Sequence, residues 1–410
     1  MKYGKQDLNI QLSSLLNVDI IAPHTKYVMP LVNISIDFQP LISLLNNKGK
    51  NRSELIVGIA INDKTRPVPY PKLIPPLIHE LIQNGIKENN IIFYIANGTH
   101  VPDTDLSYLQ LEDYLINNYI FLQHDCNENL IYLGETSFGT KILINKSYYE
   151  CDLKISVGNI EPHHFAGYSG GVKTVSIGLA GKETITHNHS PLMDDNSVAC
   201  EYFRNKIRMD IEEIGDFAGV DLALNYIQNS DLQILNVFLE NPKTVMQQAI
   251  PIIDKLHSVN VEKKYDFDIA SAGGHPKDIN FYQSQKAISN AKNILKKNAS
   301  ILIIAECKEG IGSDTYFNYV SKFNFPSEVI TNFENKEFVI GHHKAYLMAK
   351  VQIKHKLYLY SNLAKPIVKS LMMEKVDELA PFINYFTKSV HANIAVMPNA
   401  VSTIPITKRR

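Results

Sequence analysis

Three stretches of the chain carry the equipment for moving protons and holding anions. Asp63, Lys64, Thr65 and Arg66 stand together in "NDKTRPVP", His100 closes "NGTH", and "EPHHFAGYSGGVKT" at 161–174 combines tandem histidines, a glycine-rich turn and Lys173. Unperturbed imidazole titrates near pH ~6.5, so a histidine in a cleft takes up and releases a proton at neutral pH. The planar fork of Arg66, just before a probable helix entry, suits two oxygens of a carboxylate or phosphate at once. Gly167, Gly170 and Gly171 let backbone approach a ligand closely, and Lys173 offers a point charge or, deprotonated, a nucleophile toward an acyl group. Plain structural readings stand beside these: a capped, solvated helix entry at 63–66, a satisfied structural histidine at 100, and a structural turn at the glycines.

Two further stretches add donors. His187 and His189 in "THNHS" would share a face on a strand, whereas a loop guarantees nothing. Imidazole suits nickel, zinc or copper, but no second histidine or carboxylate stands at zincin spacing, so single-histidine ligation would need a cofactor to supply the other donors. In "FYQSQKAISNAKN", Tyr282 and Lys286 lie four apart on a helix and share a face beside Gln283, with a solvated helix surface as the alternative. "GYSGGVKT" differs from a phosphate loop because Val172 precedes the lysine where that loop needs glycine, which demotes a nucleotide triphosphatase.

The elements that must position these residues read as alternating strands and helices. "SELIVGIAIND" is a short continuous apolar run, as in a strand buried on both faces, and "IIFYIANGTH" repeats it after a helical stretch with apolar spacing from Leu77 to a terminating Gly85. Crossovers between parallel strands are almost always right-handed, so Asp63–Arg66 and His100 emerge on one sheet edge as spatial neighbours. A third run, "CDLKISV", delivers 161–174 to the same edge, where ligands of open α/β sheets sit. The pattern restarts at "FDIASAGG", with a helix from about 280 to 295 and the strand "SILIIAEC".

Composition frames this reading. At 410 residues the chain predicts two domains. The expected fold is two α/β domains with mostly parallel sheets and an interdomain active-site cleft, divided in the charged stretch Glu262–Asp266: residues 1–265 bind cofactor and metal, and 266–410 close the cleft. With 45% apolar residues, 20% charged and a net charge of -1, nothing argues for a nucleic-acid or membrane partner, and a small-molecule partner is expected. No apolar run reaches the ~18 residues of a membrane span or forms a signal core, so a cytosolic location is expected. Four scattered cysteines without a CxxC pair read as small buried apolar residues.

Taken in order, "DKTRP", "NGTH", "PHHFAGYSGGVK", "NH" at 188–189 and "GGHPKDINFYQSQK" resemble the nickel-dependent lactate racemase family along nearly the whole chain. The resemblance implies a 2-hydroxy acid substrate and a nickel pincer nucleotide, with cofactor-synthesis enzymes as partners. It implies that Lys173 forms the thioamide link and that His189 is the protein ligand to nickel. His100 and His163 would be the acid/base pair; Arg66 and Lys286 would handle substrate or cofactor charge beside Tyr282 and Gln283; Asp63, Thr65, Gly170 and Gly171 would hold the nucleotide. In the family's mechanism one histidine removes the hydroxyl proton while hydride passes to the cofactor, the 2-oxo acid reorients, and the steps reverse with the second histidine. A two-base racemase without hydride transfer and a non-catalytic nucleotide or metal carrier are the competing readings. Against the family's pattern, this sequence has no tryptophan, lacks a proline-glycine pair after the lysine ("TVSIGLAG"), and carries Tyr168 where phenylalanine is common.

Overall fold

A computed structural model describes residues 1–12, 17–22, 30–31, 33–66, 68–229, 232–336, 339, 341–388 and 393–407. Pro67 of the "DKTRP" motif lies outside the described residues. The chain divides into two compact units, Lys26–Asp254 and Met1–Thr25 with Lys255–Arg410.

The first unit is built on six strands: β1 (Val57–Asn62), β2 (Ile91–Ala96), β3 (Ile120–Gln123), β4 (Leu153–Asn159), β5 (Leu222–Gln228) and β6 (Ile234–Glu240). Their order across the sheet is β6-β5-β4-β1-β2-β3, parallel except for β6. Residues 57–61 of β1 are all buried, as a strand covered on both faces must be, and this is why the sequence shows a continuous run instead of an alternation. The chain steps outward from β1 to one side and from β4 to the other, so the sheet reverses direction between β1 and β4. At such a switch point the crevice beyond the carboxyl ends of the strands is left uncovered. The residues that follow β1 and β4 are those of the 63–66 and 161–174 motifs.

Between β1 and β2 runs helix α1 (Tyr70–Gln83), seven residues earlier than the apolar spacing from Leu77 predicts. Pro75 and Pro76 hid its beginning, since neither can donate a helical hydrogen bond. The helix forms regardless because Tyr70, Leu73, Ile74, Leu77, Ile78 and Leu81 make one buried stripe, each worth about 1.5–3 kcal/mol of burial. Short helices α2 (Lys173–Ser176) and α3 (Lys182–His189) follow β4, and α4 (Lys206–Ala218) precedes β5.

The second unit carries a wholly parallel sheet of β7 (Tyr265–Ser271), β8 (Leu295–Ile304), β9 (Lys356–Tyr360), β10 (Glu374–Lys375) and β11 (Asn393–Met397), completed by Asn17–Ile20 against β11. Helix α5 (Phe281–Ala291) links β7 to β8, and α6 (His342–Gln352) precedes β9. The expected division at Glu262–Asp266 falls instead at 254/255, because Ser258–Val261 already pairs with Ile404–Thr407. Residues 1–25, expected with the N-terminal domain, belong to this unit because Asn17–Ile20 is an edge strand of its sheet.

Candidate active site

At the carboxyl edge of β1 the chain turns through Asp63, whose carbonyl accepts from the Arg66 N–H at 3.1 Å. Asp63 is buried and divides its carboxylate: one oxygen accepts the Thr65 hydroxyl at 2.7 Å, the other lies 2.6 Å from Nδ1 of His100. Burial alone would push this carboxyl up. The hydrogen bonds from His100 and Thr65 and the charge of Arg66 outweigh it and hold the group below the usual carboxylate range. A carboxylate only accepts, so His100 donates from Nδ1 and the neutral ring carries its lone pair on Nε2. Its side chain is 57% exposed, so that nitrogen is accessible to a small acid. Arg66 reaches toward Glu161 at 3.9 Å, which ties the 63–66 turn to the stretch after β4.

That stretch forms a small hairpin in which Pro162–His163 pairs with Gly167–Tyr168. His163 is buried, and its Nδ1 accepts from the Ala166 N–H at 3.2 Å, so its neutral ring carries the proton on Nε2. The two histidines thus offer different groups: His100 a lone pair, His163 an N–H. Tyr168 donates its buried hydroxyl to Asp254 at 2.5 Å, with the Cys200 carbonyl 3.2 Å away, a bond a phenylalanine could not make. Beyond the hairpin, buried polar side chains fix the turn. Asn225 accepts from Gly171 N–H at 2.7 Å, Ser156 donates to the Gly171 carbonyl at 2.9 Å, and Arg208 donates to the carbonyls of Tyr168 and Gly170 at 2.9 and 3.1 Å. Gly170 and Gly171 have φ of +83° and +61°, which favours glycine, and a Cβ on Gly170 would sit 2.5 Å from Ile160. The turn therefore delivers half-buried Lys173 at the first position of α2, while Thr174 reaches back to the Asn62 side chain and the Val157 carbonyl.

His187 and His189 lie on the last turn of α3, neither strand nor loop, where residues two apart do not face each other. Phe165 nevertheless joins His189 to the hairpin: its ring centroid is 4.9 Å from that of His189 and 4.6 Å from that of His163. His189 Nδ1 lies 2.9 Å from the side-chain oxygen of Asn188. Since an amide oxygen accepts, Nδ1 is the donor and Nε2 carries the lone pair that a metal would require.

Tyr282, Gln283 and Lys286 belong to the second unit. The half-buried positions of α5 are 282, 283, 286 and 289, which places Tyr282 and Lys286 on one face. Asn280 caps this helix by accepting from the Gln283 N–H at 3.0 Å. Buried Lys344, from α6, sits 3.5 Å over the Tyr282 ring and donates to the Tyr282 carbonyl at 2.7 Å, and burial pushes the Tyr282 hydroxyl up to about 12.

The Lactate racemase N-terminal domain matches residues 3–200, and the Lactate racemase C-terminal domain matches 261–405. The chain belongs to the lactate racemase family. Family membership makes it a racemase, hence an isomerase. A lactate racemase of Thermoanaerobacterium thermosaccharolyticum is 29% identical over 360 residues, covering 85% of this chain and 84% of the relative. One from Lactiplantibacillus plantarum is 26% identical with the same coverage. The solved lactate racemase apoprotein of T. thermosaccharolyticum superposes with a TM-score of 0.87 over 99% of each chain, at 27% identity. A Thermotoga maritima protein of 14% identity shares the fold, with a TM-score of 0.68 over 90% of this chain and 96% of its own. Among the described residues no helix is long and apolar enough to cross a membrane.

Sequence reading missed the residues beneath the family's motifs: Ser156, Arg208, Asp210 and Asn225, all buried. Two left a signal. Asn225 interrupts the otherwise apolar "LALNYIQ", and Arg208 is a charge beside the apolar Ile207, Ile211 and Ile214 of an amphipathic helix.

Proposed function

We propose that the chain interconverts the enantiomers of a 2-hydroxy acid, lactate or a related acid, with a nickel pincer nucleotide tethered to Lys173 and supplied by cofactor-synthesis enzymes. The observation that carries this reading is the Asp63–His100 pair, a carboxylate-backed base at the sheet edge to which the turn leading to Lys173 is also tied. The donor set fits the cofactor. The Nδ1 bond to Asn188 puts the His189 lone pair on Nε2, the atom a metal would require, and among the described residues no three His, Cys, Asp or Glu side chains are arranged to hold an ion, which suits one histidine joined by donors of an organic group.

In this reading Lys173 carries the nucleotide, His189 ligates nickel, and Asp63, Thr65, Arg66, Gly170 and Gly171 hold the nucleotide. Tyr282, Gln283 and Lys286 meet cofactor or substrate charge. When bound, the group supplies a reversible acceptor for the hydrogen of C2 with its electron pair. The chain's own residues do the rest. Arg66 holds the substrate carboxylate, and His100 takes the hydroxyl proton at Nε2 while Asp63 stabilises the imidazolium. Loss of that proton together with hydride from C2 leaves a planar 2-oxo acid, which accepts hydrogen on either face. His163 serves the opposite hand of substrate. As a base at Nε2 it must carry its ring proton on Nδ1, giving up the bond from Ala166.

The test uses protein co-produced with the cofactor-making enzymes and enantiopure 2-deuterated lactate. An adduct on Lys173 by intact mass and racemised lactate that retains deuterium are expected. Early loss of label to water, or full activity in Lys173→Ala, overturns the proposal.

A further inference from the structure

Asp210, on α4, is 2% exposed and reached by three donors: the Thr136 hydroxyl at 2.6 Å, the Thr140 hydroxyl at 2.8 Å and the Asn188 amide at 2.7 Å. Two of these donors continue outward. Asn188 meets His189 Nδ1 at 2.9 Å, and Thr140 meets His187 Nδ1 at 2.7 Å. The histidines diverge from their helix, yet their inner nitrogens lead to the same carboxylate.

The direction of every bond in this branched chain follows from its root. A carboxylate accepts and does not donate. Asn188 must therefore turn its NH2 toward Asp210, an orientation reinforced by a second acceptor, the Ile207 carbonyl at 3.1 Å. Its oxygen is then the atom facing His189, and only a protonated Nδ1 bonds to it. Thr140 likewise spends its one hydrogen on Asp210, leaving a lone pair toward His187, whose Nδ1 must also be protonated. Neutral imidazole holds one ring proton, so in both rings the lone pair resides on Nε2.

We infer that Asp210 is a positioning residue that fixes the Nδ1–H tautomer of His187 and His189 through Thr140 and Asn188, two hydrogen bonds from each ring. For His189 this makes Nε2 the donor atom to the metal. That part rests on the proposed function, whereas the tautomer assignment does not. Groups that hold a metal-binding histidine from behind contribute to its affinity about 10–100-fold when they are lost.

Long-range proton–nitrogen NMR on the cofactor-free protein, at a pH of about 8 where unperturbed imidazole is neutral, reads the tautomers directly. Wild type is expected to show a single Nδ1–H form at both histidines. Asp210→Asn, whose amide both accepts and donates, should give mixed tautomers at both. Asn188→Leu should release His189 alone, and Thr140→Val His187 alone, so the branches remain testable if Asp210→Asn does not fold. An Nε2–H form in wild type, or a ring that keeps Nδ1–H after its own branch is cut, overturns the inference. Lack of a Lys173 adduct in wild type would instead defeat the proposed function and leave the tautomer result standing. If both hold, Asn188→Leu should lower nickel retention of the loaded protein roughly 10–100-fold; full retention would remove His189's dependence on this support.

Discussion

Nδ1 of His100 lies 2.6 Å from a carboxylate oxygen of Asp63. One partner is mostly exposed and the other almost wholly buried, at 57% and 10% of their side chains. The buried member fixes the ring and the exposed member presents it to solvent. Thr65, on the second carboxylate oxygen, keeps Asp63 from rotating away.

Replacing Asp63 with Asn removes the carboxylate charge beside the ring and leaves His100 and Thr65 competing for one acceptor oxygen. We expect kcat to fall roughly 10²-fold. Steady-state racemisation assays of Asp63→Asn, His100→Ala and the double variant check this, because a shared role makes the double variant little worse than His100→Ala alone.

Gly170→Ala should be harmful out of proportion to one methyl group. The residue has a φ of +83°, and the added Cβ would lie 2.5 Å from Ile160 and 3.1 Å from the Asn225 oxygen. A loss of about 1–3 kcal/mol is expected. Denaturant melts measure it, and intact mass after co-production should show a smaller fraction of protein modified at Lys173.

Arg208 is completely buried and pairs with Glu212 while holding two carbonyls of the glycine turn. Arg208→Met strands the Glu212 charge, which costs about 3–5 kcal/mol. Thermal unfolding of the first unit should fall by about 10 °C. Arg208→Lys should recover only part of that, since an ammonium lacks the fork that reaches two carbonyls and a carboxylate together.

His343 gives the second unit a sensitivity to mild acid. Burial first, then the charge of Lys344, hold its imidazole down at about 3, and its Nδ1 accepts from the Gly341 N–H at 3.1 Å. The unfolded ring titrates near ~6.5, so between the two values the unfolded chain binds a proton that the native chain does not. Stability is complete above pH ~6.5 and falls with pH by up to about 1.4 kcal/mol per unit. Denaturant midpoints at pH 7.5 and 5.5 should differ in wild type, and His343→Gln should lose less across that window.

Much of this architecture was legible because continuous apolar runs such as "LIVGIAI" and "SILII" leave little alternative to buried parallel strands. The ends of the runs in the first unit marked the edge where Asp63, His100 and Arg66 lie. The start of α1 was concealed by Pro75 and Pro76, whose local cost is outweighed by a buried stripe that only the folded sheet provides. Asn17–Ile20 was missed because "NVDI" is too short and too polar to read as a strand without its partner Asn393–Met397. At the site, a sequence shows which residues carry useful chemistry but not which polar residues stand behind them. Thr140 and Asp210 are separated by 70 positions, so no local pattern announces their bond. The tryptophan expected from the family has no counterpart in the chain, and Lys344 over Tyr282 is what α6 contributes beside that helix.

The pairing of Asn17–Ile20 with Asn393–Met397 also sets an order of events during synthesis. Translation delivers Asn17–Ile20 before the whole of Lys26–Asp254 and Asn393–Met397 after it. That inserted unit has every strand of its sheet before Asn393–Met397 is made, whereas the host sheet stays incomplete until that strand follows. A fragment beginning at Lys255 would leave the flank of Asn393–Met397 without its neighbour, an open margin that invites association with other chains.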